Sequence, residues 1–427
     1  MKKGTIIKNA NEIVTCSGFD QKKGKEMSEL HIIKDGSIII EKGIIKSVGK
    51  TERILKEIDE KEYNIIDALG KAVLPGFIDP HTHFIFGGYR ADEYGWRLRG
   101  DSYMEIMNRG GGITNTTNST KEATKEDLIN SGSKRLDSML QFGVTTVEGK
   151  SGYGLDYETE IKQLEAMKDL NKKHPIDIVK TFLGAHAVPK EYKGKEDEFI
   201  DFIIKDVLPE VSERKLAEFC DVFCEENVFS IDQSRKLLNK AKEFGLKIKL
   251  HADEIVPLGG AELSAELKAV SADHLLQASD NGIKKMAENN VVATLLPGTA
   301  FSLKEKYARA RNIIDNGCAV ALATDMNPGS CFTESIPLII ALATLYMNMS
   351  TEETINALTI NAACAIDKGK EIGSIDEGKK ADIVIHEFPS YTYIPYHIAV
   401  STVEKVIKNG KLVYSKEEKG GLLCYKR

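Results

Sequence analysis

The chain has 427 residues, of which 42% are hydrophobic and 29% are charged. This composition is typical of a globular protein long enough to bury a large core. The net charge is −6 and no dense run of Lys and Arg occurs, so the sequence argues against a nucleic-acid surface. The longest apolar stretch, residues 337–347, is too short to span a bilayer and predicts a core helix instead of a membrane anchor.

The cysteine pattern and the N-terminus both favour a cytoplasmic location. Seven cysteines are scattered along the chain without a CxxC pair, which is not the pattern of a disulfide framework. They are Cys16, Cys220, Cys224, Cys318, Cys331, Cys364 and Cys424. Residues 1–14 begin with a pair of lysines but contain no uninterrupted apolar segment and no small-residue cleavage site, so we expect no signal peptide.

The two ends of the chain have the same sequence pattern. Within residues 4–70, segments such as GTIIKNANEIVT and GSIIIEKGIIKSVG predict short strands, because β-formers alternate with Lys, Asp and Gly and show little helical period. The C-terminal segment has the same strand–turn–strand pattern, as in VEKVIKNGKLVYS. We therefore predict one composite β-domain from residues 1–70 and 372–427, and a second domain over residues 71–371.

Between the ends, short β-rich runs alternate with longer amphipathic helical stretches. Eight such runs are found, at residues 71–81, 143–150, 176–186, 220–226, 246–254, 270–276, 290–298 and 318–329. Eight βα units that close on themselves form a (β/α)₈ barrel, an α/β fold whose functional residues lie at the carboxyl ends of the strands.

Histidines cluster at those predicted strand ends. Five of the nine histidines lie there, together with one aspartate: His81 and His83 (strand 1), His186 (strand 3), His251 (strand 5), His274 (strand 6) and Asp325 (strand 8). A random scatter of histidines would rarely produce this pattern, so the strand ends are the predicted functional site.

A metal site is the simplest interpretation of this cluster. Residues i and i+2 of an extended segment face the same way, so His81 and His83 direct two imidazoles at one point. His251 adds a third imidazole, and Asp325 adds a carboxylate from a strand adjacent to strand 1 in a closed barrel. Three nitrogens and one oxygen suit Zn²⁺, with Fe²⁺ as the alternative, and either ion activates water. A lone HxH pair is a weak signal, and His251 alone would more often be a core or surface histidine.

Several motifs resemble the amidohydrolase superfamily: PGFIDPHTH at strand 1, ATDMNPG at strand 8 and GSIDEGKKADIVI near the C-terminus. Longer stretches resemble one ring-opening branch of it, at residues 103–113, 143–155, 182–189, 249–267, 270–276 and 295–301. The resemblance implies a barrel flanked by a β-sandwich built from both termini, and a homodimer. It also implies hydrolysis of 4-imidazolone-5-propanoate to N-formimidoyl-L-glutamate, a step of histidine degradation.

Carried over residue by residue, the resemblance assigns roles to the cluster and its surroundings. It implies that the metal ligands are His81, His83, His251 and Asp325. It implies that the substrate contacts are Arg90, Tyr153, His186, Glu254, Asn327, Gly329 and Ser330. It also implies that His274 is a further active-site histidine. Strand 4 ends in FCEEN, without the lysine that bridges two metals in other branches, so we expect one metal ion.

The expected chemistry leaves several roles open. An arginine fork suits the propionate of the substrate, although Arg90 by itself is equally compatible with a solvated loop. Asp325 is expected to take a proton from water and pass it to the leaving nitrogen. His186 and His274 are expected to polarise the carbonyl or stabilise the oxyanion, whereas Glu254 either binds a ring N–H or orients water.

Two rival functions and one structural puzzle remain. The first rival is another cyclic amidohydrolase or a deaminase of the same superfamily, and the second is a metal-dependent binding protein without turnover.

The structural puzzle is that strict alternation along strand 5 directs Lys247 and Lys249 into the barrel with His251. A buried lysine needs a partner, and Glu148 of strand 2 is a candidate, whereas a bulge in strand 5 would remove the need for one.

Overall fold

A computed structural model of the chain describes residues 2–56, 58–101, 105–106 and 109–416. Part of the stretch 103–113 quoted above, the C-terminal part of the predicted β-domain (417–427) and Cys424 lie outside the described residues. The main domain is a barrel of eight parallel strands in chain order. These strands are β6 (Phe77–Thr82), β7 (Val144–Lys150), β8 (Asp177–Ala185), β9 (Phe219–Cys224), β10 (Lys247–Ala252), β11 (Ser271–His274), β12 (Val292–Leu295) and β13 (Val320–Leu322).

The barrel closes between its first and last strands. The backbone forms an isolated parallel bridge between Thr82 and Met326, just beyond the end of β13. Deeper in the barrel, the buried Asp79 carboxylate accepts hydrogen bonds from the N–H and the hydroxyl of Thr324, at 3.0 and 2.6 Å. Backbone and side-chain bonds together therefore set the register at which Asp325 meets the histidines of β6.

Helices cover the outside of the barrel and connect its strands. They begin where the sequence supplies capping side chains: Thr124 and Ser230 each start a helix with a capping box. The described α-helices are α1 (Thr51–Leu55), α2 (Ala91–Leu98), α3 (Ile113–Glu122), α4 (Lys125–Gln141), α5 (Tyr157–Lys173), α6 (Glu196–Phe202), α7 (Leu208–Glu213), α8 (Ile231–Glu243), α9 (Gly260–Glu266), α10 (Asp280–Glu288), α11 (Pro297–Leu303), α12 (Ala310–Asp315), α13 (Ile336–Tyr346), α14 (Thr351–Ala357), α15 (Ile360–Ala365) and α16 (Tyr393–Tyr396).

Both ends of the chain build a second, mixed sheet. Its strands are β1 (Gly4–Val14), β2 (Ile32–Glu41), β3 (Ile44–Lys50), β4 (Tyr63–Asp67), β5 (Ala72–Pro75), β14 (Ile383–His386), β15 (Val403–Lys408) and β16 (Lys411–Ser415). Isoleucines from both segments, such as Ile13 and Ile383, meet in one buried apolar cluster. The predicted fold class, a (β/α)₈ barrel with a small β-domain from both termini, is confirmed.

The first predicted barrel strand is divided between the two domains. Residues 71–81 were expected to form one strand, but β5 pairs with β1 and β14 of the terminal sheet, and the barrel begins at Phe77. Gly76 separates the two parts, where a Cβ atom would clash with Thr145. The division of the chain into residues 1–70 with 372–427 and residues 71–371 stays a prediction.

The apolar stretch at 337–347 forms most of α13, whose inner face is buried against the barrel, which confirms the predicted core helix. Among the described residues, no helix combines the length and the apolar character needed to cross a membrane. The six cysteines in the described part of the chain are free thiols.

Candidate active site

The predicted site residues meet at one mouth of the barrel. A cavity of about 510 Å³ opens at the carboxyl ends of the strands. Eleven of the twelve predicted residues line it: His83, Arg90, Tyr153, His186, His251, Glu254, His274, Asp325, Asn327, Gly329 and Ser330. The twelfth, His81, is fully buried, and its ring lies 5.3 Å from that of His83.

Three imidazoles and one carboxylate converge at the inner end of this cavity. Single ring nitrogens of His81, His83 and His251 all lie within 4.8 Å of one another. The Oδ1 atom of Asp325 lies 3.6 Å from Nε2 of His81 and 3.7 Å from Nε2 of His83. These separations are those of groups arranged around a common centre, and the donor set of nitrogens and one oxygen suits a divalent ion.

Buried ring nitrogens that lack hydrogen-bond partners indicate whether a metal ion fits this cluster. The Nε2 atoms of His81 and His251 are buried and have no hydrogen-bond partner among the described residues. Such atoms are rare in proteins because an unsatisfied buried polar atom is costly. Burial and nearby cationic groups hold the pKa of His81 well below its usual range, so its ring is neutral and its Nε2 lone pair is available. The residues therefore fit a divalent metal ion.

Two carboxylates that sequence reasoning missed orient these histidines. Asp273 lies 2.6 Å from Nδ1 of His81, and Asp221 lies 3.0 Å from Nδ1 of His251. Each carboxylate favours a proton on Nδ1, which leaves Nε2 as the lone-pair nitrogen. Burial alone would lower the pKa of His251, but Asp221 raises it above its ordinary value. The available signal was alternation: Asp221 and Asp273 occupy inward positions of the buried strands β9 and β11.

A buried lysine joins the two carboxylates. Lys150 Nζ lies 2.8 Å from Asp221, 2.9 Å from Glu148 and 3.6 Å from Asp273, and its side chain is fully buried. Burial would lower the pKa of Lys150, but these three carboxylates raise it. Lys150 is therefore a permanent cation that balances the charge around the histidines.

The puzzle of the two strand-5 lysines is resolved differently for each. Lys249 lies inside the barrel and pairs with Glu148 at 2.8 Å, as expected. Lys247 does not: it stands at the exposed start of β10 and pairs with Asp367. The expectation that alternation carries Lys247 into the barrel was wrong because this first strand residue lies beyond the barrel's lower rim, where its long side chain reaches solvent.

The Asp273→Asn substitution tests the orienting role of the buried carboxylates. We expect its Zn²⁺ affinity to fall about 10- to 100-fold, because an amide no longer holds the proton on Nδ1 of His81. A competition titration of metal-free protein against a chromogenic chelator measures this. The matched control is Asp367→Asn, which removes an exposed carboxylate, and unchanged affinity in Asp273→Asn would contradict the prediction.

Asp325 combines burial with one short hydrogen bond. Burial raises the pKa of Asp325 to about 6, although the hydrogen bond from the Thr299 hydroxyl, at 2.5 Å, opposes the shift. The residue has a left-handed backbone with φ of 52°, which the closing bridge of the barrel holds in place. A carboxylate whose pKa lies near neutrality is suited to accept and return a proton.

His186 has a defined tautomer. Its Nδ1 lies 3.0 Å from the backbone carbonyl of Gly152, which can only accept, so Nδ1 carries the proton. Burial lowers the pKa of His186 to about 3, so the ring is neutral and Nε2 is an acceptor. The ring stacks on His83 with centroids 4.9 Å apart, and Tyr153 lies 5.3 Å away on the cavity wall.

His274 and Glu254 lie next to each other in the lining of the cavity. Nδ1 of His274 lies 3.5 Å from Oε1 of Glu254. Burial, with a further contribution from the charge of Asp325, raises the pKa of Glu254 to about 8. Burial holds the pKa of His274 well below its usual range. At neutral pH the pair is therefore a neutral imidazole beside a protonated carboxyl group.

A stability measurement tests the raised pKa of Glu254. The folded metal-free protein keeps a proton that the unfolded chain releases above its ordinary pKa of 4.5, so stability is lost as pH rises from there towards 8. Relative to Glu254→Gln, the wild-type free energy of unfolding should fall by up to about 1.4 kcal/mol per pH unit. Urea unfolding at pH 5, 6, 7 and 8 in the presence of a chelator measures this, and a constant difference would contradict it.

The loop after β13 is organised by Asn327. Its amide nitrogen donates to the Asp325 carbonyl at 2.7 Å and to the Ser330 hydroxyl at 2.8 Å. Its amide oxygen accepts from the backbone N–H groups of Gly329 and Ser330, both at 2.8 Å. The Asn327 side chain thus shapes the loop that lies beside Arg90, and its predicted contact with substrate stays a prediction.

The barrel and its cluster of side chains that fit a divalent metal ion are the features of a hydrolase of the amidohydrolase class. The Amidohydrolase family model matches residues 72–413, and the chain belongs to that family. Solved structures agree in fold: a triazine hydrolase from Arthobacter aurescens (TM-score 0.73, 16% identity, 98% of this chain and 96% of that one) and a zinc-bound adenosine deaminase from Xanthomonas campestris (0.70, 17%, 99% and 95%).

Sequence relatives identify the subfamily of amidohydrolases to which the chain belongs. The chain is 64% identical to the imidazolonepropionase of Clostridium tetani, over 97% of this chain and 100% of that one. It is 57% identical to the imidazolonepropionase of Parabacteroides distasonis, over 95% and 98%. The chain therefore belongs to the imidazolonepropionase family and is a hydrolase of carbon–nitrogen bonds in cyclic amides.

Proposed function

We propose that the chain hydrolyses 4-imidazolone-5-propanoate to N-formimidoyl-L-glutamate in the degradation of histidine to glutamate. One observation carries this: the His81, His83, His251 and Asp325 cluster forms the inner end of a cavity whose rim presents the Arg90 guanidinium. The cluster suits attack of water on a carbonyl group, and the arginine suits a substrate with an anionic tail.

We propose that these four residues hold one divalent ion per subunit, either Zn²⁺ or Fe²⁺. When bound, the ion supplies Lewis-acid polarisation and lowers the pKa of water. The paired carboxylates behind His81 and His251 support this assignment, because they leave both Nε2 atoms free. Support for a single ion comes from the end of β9, which carries Cys224 and Glu225 where a two-metal site would need a bridging lysine.

In the proposed reaction, the side chains move one proton and hold the substrate. Asp325 takes a proton from the attacking water and returns it to the ring nitrogen as the carbon–nitrogen bond breaks. The new oxygen stays on the carbonyl carbon, which becomes a carboxylic acid. This acid gives its proton to the more basic formimidoyl group and so becomes the α-carboxylate of the product. The position of Asp325, buried beside Nε2 of His81 and of His83 and bonded to the Thr299 hydroxyl, supports this shuttle.

The remaining residues bind and orient the ring. His186 accepts a ring N–H at Nε2, since its Nδ1 proton is committed to Gly152. We propose this acceptor role as an alternative to the expected roles of polarising the carbonyl or stabilising the oxyanion. Glu254, protonated at neutral pH and adjacent to His274, donates to the carbonyl oxygen as negative charge develops there. Tyr153 closes the cavity wall beside His83.

The cellular compartment and the oligomeric state of the protein are part of the same proposal. We propose that it acts as a cytoplasmic homodimer on a small-molecule substrate. The resemblance to the ring-opening branch supports the homodimer. The free thiols of the described cysteines, which are mostly buried, support a reducing compartment.

Product identification combined with metal analysis tests the function. The purified protein is incubated with 4-imidazolone-5-propanoate, the product is identified by mass spectrometry, and the metal content is measured by plasma emission. We expect N-formimidoyl-L-glutamate and about one divalent ion per chain. Release of ammonia from aminopurines without imidazolone loss would favour the deaminase alternative, and tight binding without turnover would favour the binding-protein alternative.

A further inference from the structure

One buried carboxylate at the cavity wall has no part in the reaction described above. Glu93 of α2 is 6% exposed and accepts three hydrogen bonds. The donors are Nε of Arg90 at 2.8 Å, the backbone N–H of Gly112 at 2.9 Å and the side-chain amide of Asn115 at 2.8 Å. Glu93 therefore connects the arginine at the cavity rim to the three consecutive glycines at 110–112 and to the start of α3.

The contacts of Arg90 leave one edge of its guanidinium for a ligand. Glu93 occupies Nε, and the backbone of Gly329 lies directly against Nη1, where a Cβ atom would clash. Arg90 lines the cavity, and its Nη1 and Nη2 atoms donate no hydrogen bond to another described residue. The Nη1–Nη2 edge is the one that binds a carboxylate through two parallel hydrogen bonds.

The charge state of Glu93 suits this arrangement. Burial opposes its ionisation, but the hydrogen bonds from Asn115, Gly112 and Arg90 hold its pKa below the ordinary value. Glu93 is thus an anion at neutral pH, and its ion pair with Arg90 is largely shielded from water, with side chains 7% and 18% exposed. Such a pair restricts a long, flexible side chain to one orientation before ligand arrives.

We propose that Glu93 is a positioning residue for substrate selection: it holds the Arg90 guanidinium so that its Nη1–Nη2 edge receives the substrate's propionate. Glu93 contacts neither the ring nor the propionate. The proposal rests on the proposed function, because it takes the anionic tail as the group that Arg90 binds. Holding the arginine in its binding orientation reduces the conformational entropy lost when the propionate binds.

A double-mutant cycle tests the proposal. Glu93→Gln keeps the shape of the side chain and removes its charge, and we expect its KM for 4-imidazolone-5-propanoate to rise about tenfold with little change in kcat. With an imidazolone that lacks the propionate, kcat/KM should stay the same. In an Arg90→Ala background, adding Glu93→Gln should cause no further loss. A full additional loss in that background, or equal losses on both substrates, would overturn the proposal.

Asn115→Ala separates arginine positioning from loop anchoring. It removes one donor to Glu93 and leaves the Arg90 pair in place, so KM should change by less than about threefold. If Asn115→Ala matches Glu93→Gln, the carboxylate acts through the loop and the proposal fails. If the wild-type protein does not turn over the propanoate substrate at all, the proposed function fails instead, so the two failures are distinguishable.

Discussion

Replacing Asp325 with alanine should lower kcat for 4-imidazolone-5-propanoate by at least about 10³-fold. Proton transfer by a positioned side chain contributes about 10²- to 10⁴-fold, and Asp325 is also a proposed metal ligand, so two contributions are lost together. The buried Thr299 hydroxyl also loses its partner. Steady-state kinetics give the rate, and metal content after dialysis gives the loss of retention.

The control for this substitution is Asp280→Ala, because Asp280 is an exposed carboxylate that pairs with Arg309 on the surface. It should keep wild-type activity and metal content. An Asp325→Ala protein that is both metal-replete and active would contradict the assignment of Asp325 as ligand and proton carrier. A protein that is metal-replete and inactive would separate the two roles and leave the proton-transfer role standing.

Replacing Arg90 with alanine should raise KM for the propionate-bearing substrate about 100-fold. A bidentate hydrogen-bonded charge pair in a shielded cavity is lost, which costs about 2–5 kcal/mol in comparable sites. The measurement compares kcat/KM on the natural substrate with that on an imidazolone without the tail, which should lose far less.

Arg90→Lys provides the matched variant, because it keeps the positive charge but lacks the planar fork. We expect it to fall between wild type and Arg90→Ala. Equal losses of Arg90→Ala on both imidazolones would show that Arg90 supports the fold of the cavity rim and does not anchor the propionate.

Much of the barrel could be predicted from local patterns. Each predicted strand from residue 143 onward overlaps an observed one, because buried parallel strands are short apolar runs between helices that carry their own caps. The histidines could be placed at one mouth for the same reason: in a barrel, every strand's carboxyl end lies on the same face. The first strand was the exception, because its apolar run continues through Gly76 and the sequence does not show where it changes sheets.

The environment of the site could not be predicted in this way. The partners of Lys150 come from β7, β9 and β11, and a sequence pattern does not say which inward residues of separate strands touch. The same holds for Glu93, which no sequence motif singled out. Its burial follows from the way α2 packs against Gly112 and Asn115.

By itself, the sequence determined the barrel, the terminal β-domain, the family and the identity of the residues at the mouth. These properties depend on local periodicity, on motifs and on a topology that brings all strand ends to one side. Only the tertiary structure decided which ring nitrogens are free, which carboxylates hold the other nitrogens and which nitrogen of Arg90 is paired with Glu93. Those features are set by distances between side chains far apart in the chain, and hydrogen bonds form only within about 3.5 Å.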